Sequence, residues 1–126
     1  MVNLFLGPTH DLSFLYNDQE AIRVTPQEIA TFIMQDEIVA VYNGRSEAGP
    51  RALGNRSILY DPRDNNTKET INKVKRRERF RPFAAAVLKE HADQWFDMSG
   101  LNRSPTMSYA VQTREEKKEL IPGVVH

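Results

Sequence analysis

The sequence predicts an α/β fold, a mixed twisted sheet with flanking helices. Three observations carry that expectation. Short runs rich in β-formers recur along the chain, at Ile38 to Tyr42, Ser57 to Tyr60 and Met107 to Thr113. A helix-start signal, Thr25-Pro26-Gln27-Glu28, stands between the first apolar segments. A strand then empties straight into a glycine-rich loop at Gly44, which is where α/β proteins commonly place ligands. At 126 residues there is material for about one domain and a modest core.

Val2 to Leu6 alternates and is expected to form a short strand that Gly7-Pro8 breaks. His10 to Asn17 has apolar content without a clean period. Thr25 can cap a helix, Pro26 suits its first position and Glu28 closes a capping box, so a helix is expected from Pro26 to about Gln35. Ile29, Phe32 and Ile33 share its apolar face. Ile38 to Tyr42 reads as a buried strand, and Ser57 to Tyr60 as another, ended by Asp61-Pro62.

Asp64 can cap a second helix over about Asn65 to Arg77, with Ile71 and Val74 facing the core. On it Asn72, Arg76 and Arg79 follow helical spacing, as do Lys68, Asn72 and Lys75. Lys75 should sit near the helix end. Pro82 biases Arg81 toward an extended conformation, at the start of a strand over Pro82 to Leu88. A short helix around Lys89 to Phe96, a loop through Ser99-Gly100 and Ser104-Pro105, the strand at 107–113 and a charged turn at Arg114 to Glu119 follow. Val124-Val125 reads as the opening of one more strand, so the chain is expected to be a fragment of something longer.

Net charge is zero, but it is unevenly placed. Between Arg45 and Arg81 there are eleven Lys or Arg against five Asp or Glu, and the flanks are correspondingly acidic. Such asymmetry marks an anion site. Without cysteine there is no disulfide framework and no thiolate metal site. No apolar run approaches the roughly 20 residues that span a bilayer, and the opening Met-Val-Asn-Leu-Phe-Leu lacks the form of a signal peptide. These features fit a cytoplasmic protein with no membrane partner.

The candidate chemistry lies between Gly44 and Phe83. Gly44, Gly49 and Gly54, spaced by five, are interleaved with Arg45, Arg51 and Arg56. Glycine permits tight turns and close backbone approach, and arginine offers a rigid fork of donors to phosphate or carboxylate. One reading is an oxyanion site built from backbone N–H groups and arginine forks. The other is that these arginines pair with Glu47, Asp61 and other carboxylates to lock an irregular loop. Lys-Ser or Lys-Thr does not follow the glycines, so this is not a P-loop. Further on, Lys75, Arg77 and Arg81 with Phe80 and Phe83 could grip a nucleotide, or could form a solvated basic helix end. His10, His91 and His126 have no ligand-like spacing, and no metal site is expected.

At these residues the sequence resembles a known family. Gly44 through Leu59, Asp61-Pro62-Arg63 and Lys75 through Phe83 are similar to the C-terminal domain of the carbamoyltransferases, the nodulation-factor (NodU) and antibiotic O-carbamoylating (CmcH, TobZ) enzymes. Phe5-Leu6-Gly7-Pro8 resembles the start of that domain. The resemblance implies a fold like part of a threonylcarbamoyl-adenylate-synthase domain, using Mg-ATP and carbamoyl phosphate to form a carbamoyl-adenylate. An N-terminal transfer domain, which holds a metal and is absent from this chain, would pass the carbamoyl group to an acceptor hydroxyl. In the family a lysine and an arginine six apart bind phosphates and adenylate, and these positions are Lys75 and Arg81, with Arg77 and Glu78 between them. Arg51, Arg56 and the Gly49 and Gly54 backbone would shape the pocket.

Two departures accompany the resemblance. Ala84-Ala85-Ala86 replaces an alanine that the family often follows with proline. The family also continues past the His126 position with further strands and with nucleotide-binding arginine and serine residues, so the chain is expected to be incomplete and inactive alone. A nucleic-acid-binding module using segment 45–81 is the alternative, disfavoured because aromatics are interleaved with the basic run only at Phe80 and Phe83.

Overall fold

The computed structural model describes residues 6–126, which divide into two compact units, one up to Tyr60 and one of Asp61–His126. Helices and small antiparallel sheets are mixed along the chain, consistent with an α/β fold. In place of one twisted sheet, the described strands pair as three two-stranded antiparallel ribbons.

The first unit carries strands β1 (Leu6–Thr9), β2 (Val39–Tyr42), β3 (Arg45–Glu47) and β4 (Arg56–Leu59), of which β1 pairs with β3 and β2 with β4. The expected strand at 2–6 lies mostly outside the described residues. Gly7-Pro8 does not break β1 but sits within it, because a two-stranded ribbon has a free edge where proline loses no ladder bond. Helix α1 (Pro26–Met34) begins on the expected capping box. Thr25 Oγ1 accepts the Glu28 N–H at 3.3 Å, and the Glu28 carboxylate accepts the Thr25 N–H at 2.7 Å. The Thr25 N–H, and after it the Thr25 hydroxyl donating to the same oxygen at 2.8 Å, hold the Glu28 carboxyl below its ordinary range. The helix ends in a Schellman motif, with Asp36 left-handed at φ 67° and the Glu37 N–H on the Phe32 carbonyl at 3.0 Å.

Val39 and Val41 are half-buried and Ala40 and Tyr42 exposed, so this strand alternates rather than being buried on both faces. Its partner register, Val39 opposite Leu59 through Tyr42 opposite Arg56, is unbroken. None of the described residues of this unit is fully buried.

The second unit has a small core of Phe96, Met98 and Ile121, against which Ala92, Trp95, Leu101, Val111 and Val124 pack. Helix α2 (Thr67–Val74) is shorter than expected at both ends. Asp64 does not cap it directly; its carboxylate takes the Asn66 N–H at 2.8 Å one turn earlier. Ile71 faces inward as expected, whereas Val74 is 51% exposed. Trp95 closes helix α3 (Ala92–Trp95), which runs into β5 (Phe96–Asp97). That strand pairs with β6 (Gln112–Thr113), all that forms of the expected strand at 107–113; Met107 stands left-handed at φ 52°. No ladder forms over 82–88, and Pro122–Val124 is a 3₁₀ turn rather than the opening of a strand. Pro82 removes one ladder donor and Pro122 fixes the φ of a turn.

Candidate functional site

The glycine and arginine loop belongs to the first unit. Gly49 and Gly54 stand at φ 100° and 106°, a region side chains rarely enter, so the spacing of glycines reports real turns. A Cβ on Gly54 would meet nothing within 4 Å. There the glycine serves conformation alone and not close packing.

The loop already holds an anion, its own Glu47. One oxygen of that half-buried carboxylate accepts the N–H groups of Leu53 at 2.8 Å and Asn55 at 2.7 Å. The Gly54 N–H between them goes to Ser57 Oγ at 2.9 Å. Three successive backbone donors of the loop are therefore satisfied within the unit. The arginines follow suit. Arg45 donates to the carbonyls of Gly7 and Leu6, at 2.6 and 3.0 Å. Arg56 donates to the carbonyls of Asn43 and Asn55 and lies 3.6 Å from the centroid of its cross-strand partner Tyr42. Phe14 meets Tyr42 edge-on, centroids 6.1 Å apart.

The loop is thus locked, but not by the arginine–carboxylate pairs expected. Its arginines bind carbonyls, Glu47 binds amides, and Asp61 pairs with Arg63 in the second unit. Arg63 is the main reason that the Asp61 carboxyl is held below its ordinary range. Arg51 is exposed and makes no hydrogen bond or ion pair with a described residue.

Lys75, Arg77 and Arg81 are gathered on one turn of the second unit. Lys75 is the C-cap of α2, and the chain then reverses through Arg76 at φ 50°. The Arg76 N–H bonds the Lys73 carbonyl at 3.1 Å and the Arg77 N–H the Asn72 carbonyl at 3.0 Å, a Schellman closure with arginine where glycine is usual. Sequence pattern carried the helix through to Arg77 because no glycine announces this stop.

Asn72 is the residue that sequence reasoning undervalued. It is 0% exposed, and every polar group of its side chain is used. Nδ2 donates to the carbonyls of Arg79 at 3.1 Å and Arg81 at 3.0 Å, while Oδ1 accepts from Arg77 Nε. Its helical spacing to Arg76 and Arg79 was visible, but not that it faces inward. Arg77, half-buried, also lies 4.7 Å from the Phe83 ring centroid. His126 Nε2 lies 3.1 Å from the Phe83 nitrogen and 2.9 Å from its oxygen, so the ring holds that backbone in either tautomer.

The three cations differ in how open they are to a ligand, Arg77 being tied through Nε with its terminal nitrogens unpaired among the described residues. Lys75 is exposed and has no partner among the described residues. Among the described residues the Arg81 side chain is paired only with Glu78, at 2.7 Å and half-exposed, a solvent-screened contact easily exchanged for phosphate. The Glu78 carboxyl lies below its ordinary range, first through its own backbone N–H and then through Arg81. Phe80, 79% exposed, projects beside this turn. No three His, Cys, Asp or Glu among the described residues could hold a metal ion. No helix among them is long and apolar enough to cross a membrane.

Comparison with known proteins covers both segments. The family described as "Carbamoyltransferase C-terminus" matches residues 30–126. "Nodulation protein NolNO" of Sinorhizobium fredii is 46% identical over 99 residues, 77% of this chain and 15% of that protein. "Nodulation protein U" of Bradyrhizobium diazoefficiens is 35% identical over 124 residues, 98% of this chain and 21% of that protein. "Uncharacterized protein MJ1058" of Methanocaldococcus jannaschii is 43% identical over 102 residues, 80% of this chain and 16% of its own length. The chain thus spans between 15% and 21% of the length of these three relatives.

Proposed function

The chain belongs to the carbamoyltransferase C-terminal family, and from that premise we propose that it supplies part of a domain that binds Mg-ATP and carbamoyl phosphate and forms carbamoyl-adenylate. The observation that carries this reading is the turn from Lys75 to Arg81. There one buried asparagine binds the Arg77 side chain and the Arg81 carbonyl, and exposed Lys75 stands at the helix end just before them.

Adenylate formation joins a carbamate oxygen to the α-phosphorus of ATP and breaks the bond to the β-phosphate, so pyrophosphate leaves. Carbamoyl phosphate supplies the carbamate by losing its phosphate to water. Taken together, carbamoyl phosphate, ATP and water give carbamoyl-adenylate, pyrophosphate and phosphate. Negative charge gathers on phosphoryl oxygens throughout, and fixed cations lower its cost most when already positioned. Lys75 acts as a point charge, while Arg77 and Arg81 offer forks. Mg²⁺ enters on the nucleotide phosphates.

In the first unit, Arg51 is an open cation on the loop, whereas Arg56 and the Gly49 and Gly54 turns shape the loop. Because the chain is a small share of its relatives' length, we assign carbamoyl transfer to the acceptor hydroxyl to an N-terminal, metal-bearing domain of the same polypeptide in a cytoplasmic setting.

Calorimetric titration with Mg-ATP, then carbamoyl phosphate, tests the reading, with Lys75→Ala and Arg81→Ala alongside. Saturable one-site binding, weakened in both variants, is the expected result. Unchanged binding in both variants would sink the assignment. Affinity that instead rises with oligonucleotide length and collapses with salt would favour nucleic-acid binding through segment 45–81, which places Phe80 among cations.

A further inference from the structure

We infer that Asn72 is a positioning residue for the anionic ligand, setting Arg77 and Arg81 through a single buried amide. The inference rests on the nucleotide-binding reading above and adds a residue that touches no ligand itself.

The argument begins with satisfaction. A buried amide has two N–H donors and an acceptor oxygen, and Asn72 uses all three groups within one turn. Two donors fix the carbonyls of Arg79 and Arg81, so the chain after α2 is tied back to the helix at two points. The acceptor fixes Arg77 at Nε. Held there and against Phe83, the Arg77 guanidinium has few orientations left, and its two terminal nitrogens carry N–H groups with no partner among the described residues. Arg76, left-handed without being glycine, shows that the turn is maintained against a local conformational cost.

Without these ties the Arg77 side chain would rotate freely, and the backbone that carries Arg81 would be unanchored on an exposed segment. Each would then have to be ordered at the moment of binding, which lowers affinity. Asparagine is required by the pattern. Asp has the same shape and could keep Arg77, but it would set oxygen against the two carbonyls.

The test uses Mg-ATP as the probe and the Asn72→Asp chain. Misplacement of binding groups by a remote change can cost on the order of a hundredfold, and we expect binding weaker by about 10- to 100-fold. In a chain carrying both Arg77→Ala and Arg81→Ala, Asn72→Asp should weaken binding by less than about threefold more, because the residues through which it acts are gone. A merely structural asparagine would add its full effect in both backgrounds, and that result overturns the inference. Asn72→Asp binding as tightly as the wild type, while Lys75→Ala and Arg81→Ala bind weakly, overturns it and leaves the nucleotide reading standing. Wild-type binding in Lys75→Ala and Arg81→Ala overturns the nucleotide reading itself. Should Asn72→Asp fail to fold by Trp95 fluorescence, the wild-type chain still decides. The Arg77 Nε proton should exchange with water more slowly than that of exposed Arg76, and equal rates would refute the tie.

Discussion

Replacing Glu47 by alanine would remove the anion around which the glycine loop is wound. The wild-type carboxylate accepts two backbone N–H groups, at 2.8 and 2.7 Å. Hydrogen bonds to a charged group contribute about 1.5–3 kcal/mol each when shielded. Half-burial reduces that to about 1 kcal/mol each, or about 2 kcal/mol for the pair. Local opening of the loop should therefore become roughly 30-fold more frequent, while strand pairing between β2 and β4 persists. Amide hydrogen exchange at Leu53 and Asn55 reads this directly. Glu47→Gln keeps an acceptor at the same place and should accelerate exchange by only about fivefold. If Glu47→Ala leaves both amides as protected as in the wild type, the carboxylate does not organise the loop.

Three other perturbations address the second unit. An alanine Cβ at Gly123 would lie 2.7 Å from Thr67 Cβ and 2.8 Å from its Oγ1. Thr67, 4% exposed and bonded to the Asp61 carbonyl at 2.7 Å, has no room to retreat, so Gly123→Ala should cost about 1–3 kcal/mol in urea unfolding followed at Trp95. Arg76→Gly should instead stabilise by about 0.5–1 kcal/mol in the same assay, since φ 50° suits glycine and the Arg76 side chain has no partner among the described residues. The Asp61 carboxyl is lowered on folding, so its contribution is complete above the unfolded value near about 3.9 and is lost as pH falls through the lower folded value. Acid unfolding of Asp61→Asn should lack that component below about pH 4, whereas a wild-type curve would refute it.

The legible parts of this chain were those encoded locally. Thr25, Pro26 and Glu28 state a helix start completely, because every partner of the capping box lies within four residues. Gly49 and Gly54 announced positive φ for the same reason. What sequence hid was how donors are shared across distance. Nothing local shows that Glu47 occupies the N–H groups six and eight residues on, or that Asn72 faces inward to meet Arg79 and Arg81. Helix α2 was drawn too long because arginine at the left-handed position mimics helix continuation. The segments at 82–88 and 107–111 carry strand formers in Phe83, Val87, Tyr109 and Val111 yet remain unpaired, since strand pairing is settled by a neighbour and not by propensity. Basic charge pointed to an anion, and only the family likeness gave that anion a carbamoyl chemistry.

The most direct test of the central claim is a nuclear magnetic resonance titration of the isotopically labelled chain with Mg-ATP, following backbone amides and arginine Nε groups together. Saturable shifts at the Lys75 amide and at Arg77 and Arg81 Nε, reached at one equivalent, are the predicted result. Shifts confined to residues outside 72–83, or no saturable shift at all, would contradict the assignment of the nucleotide to this turn.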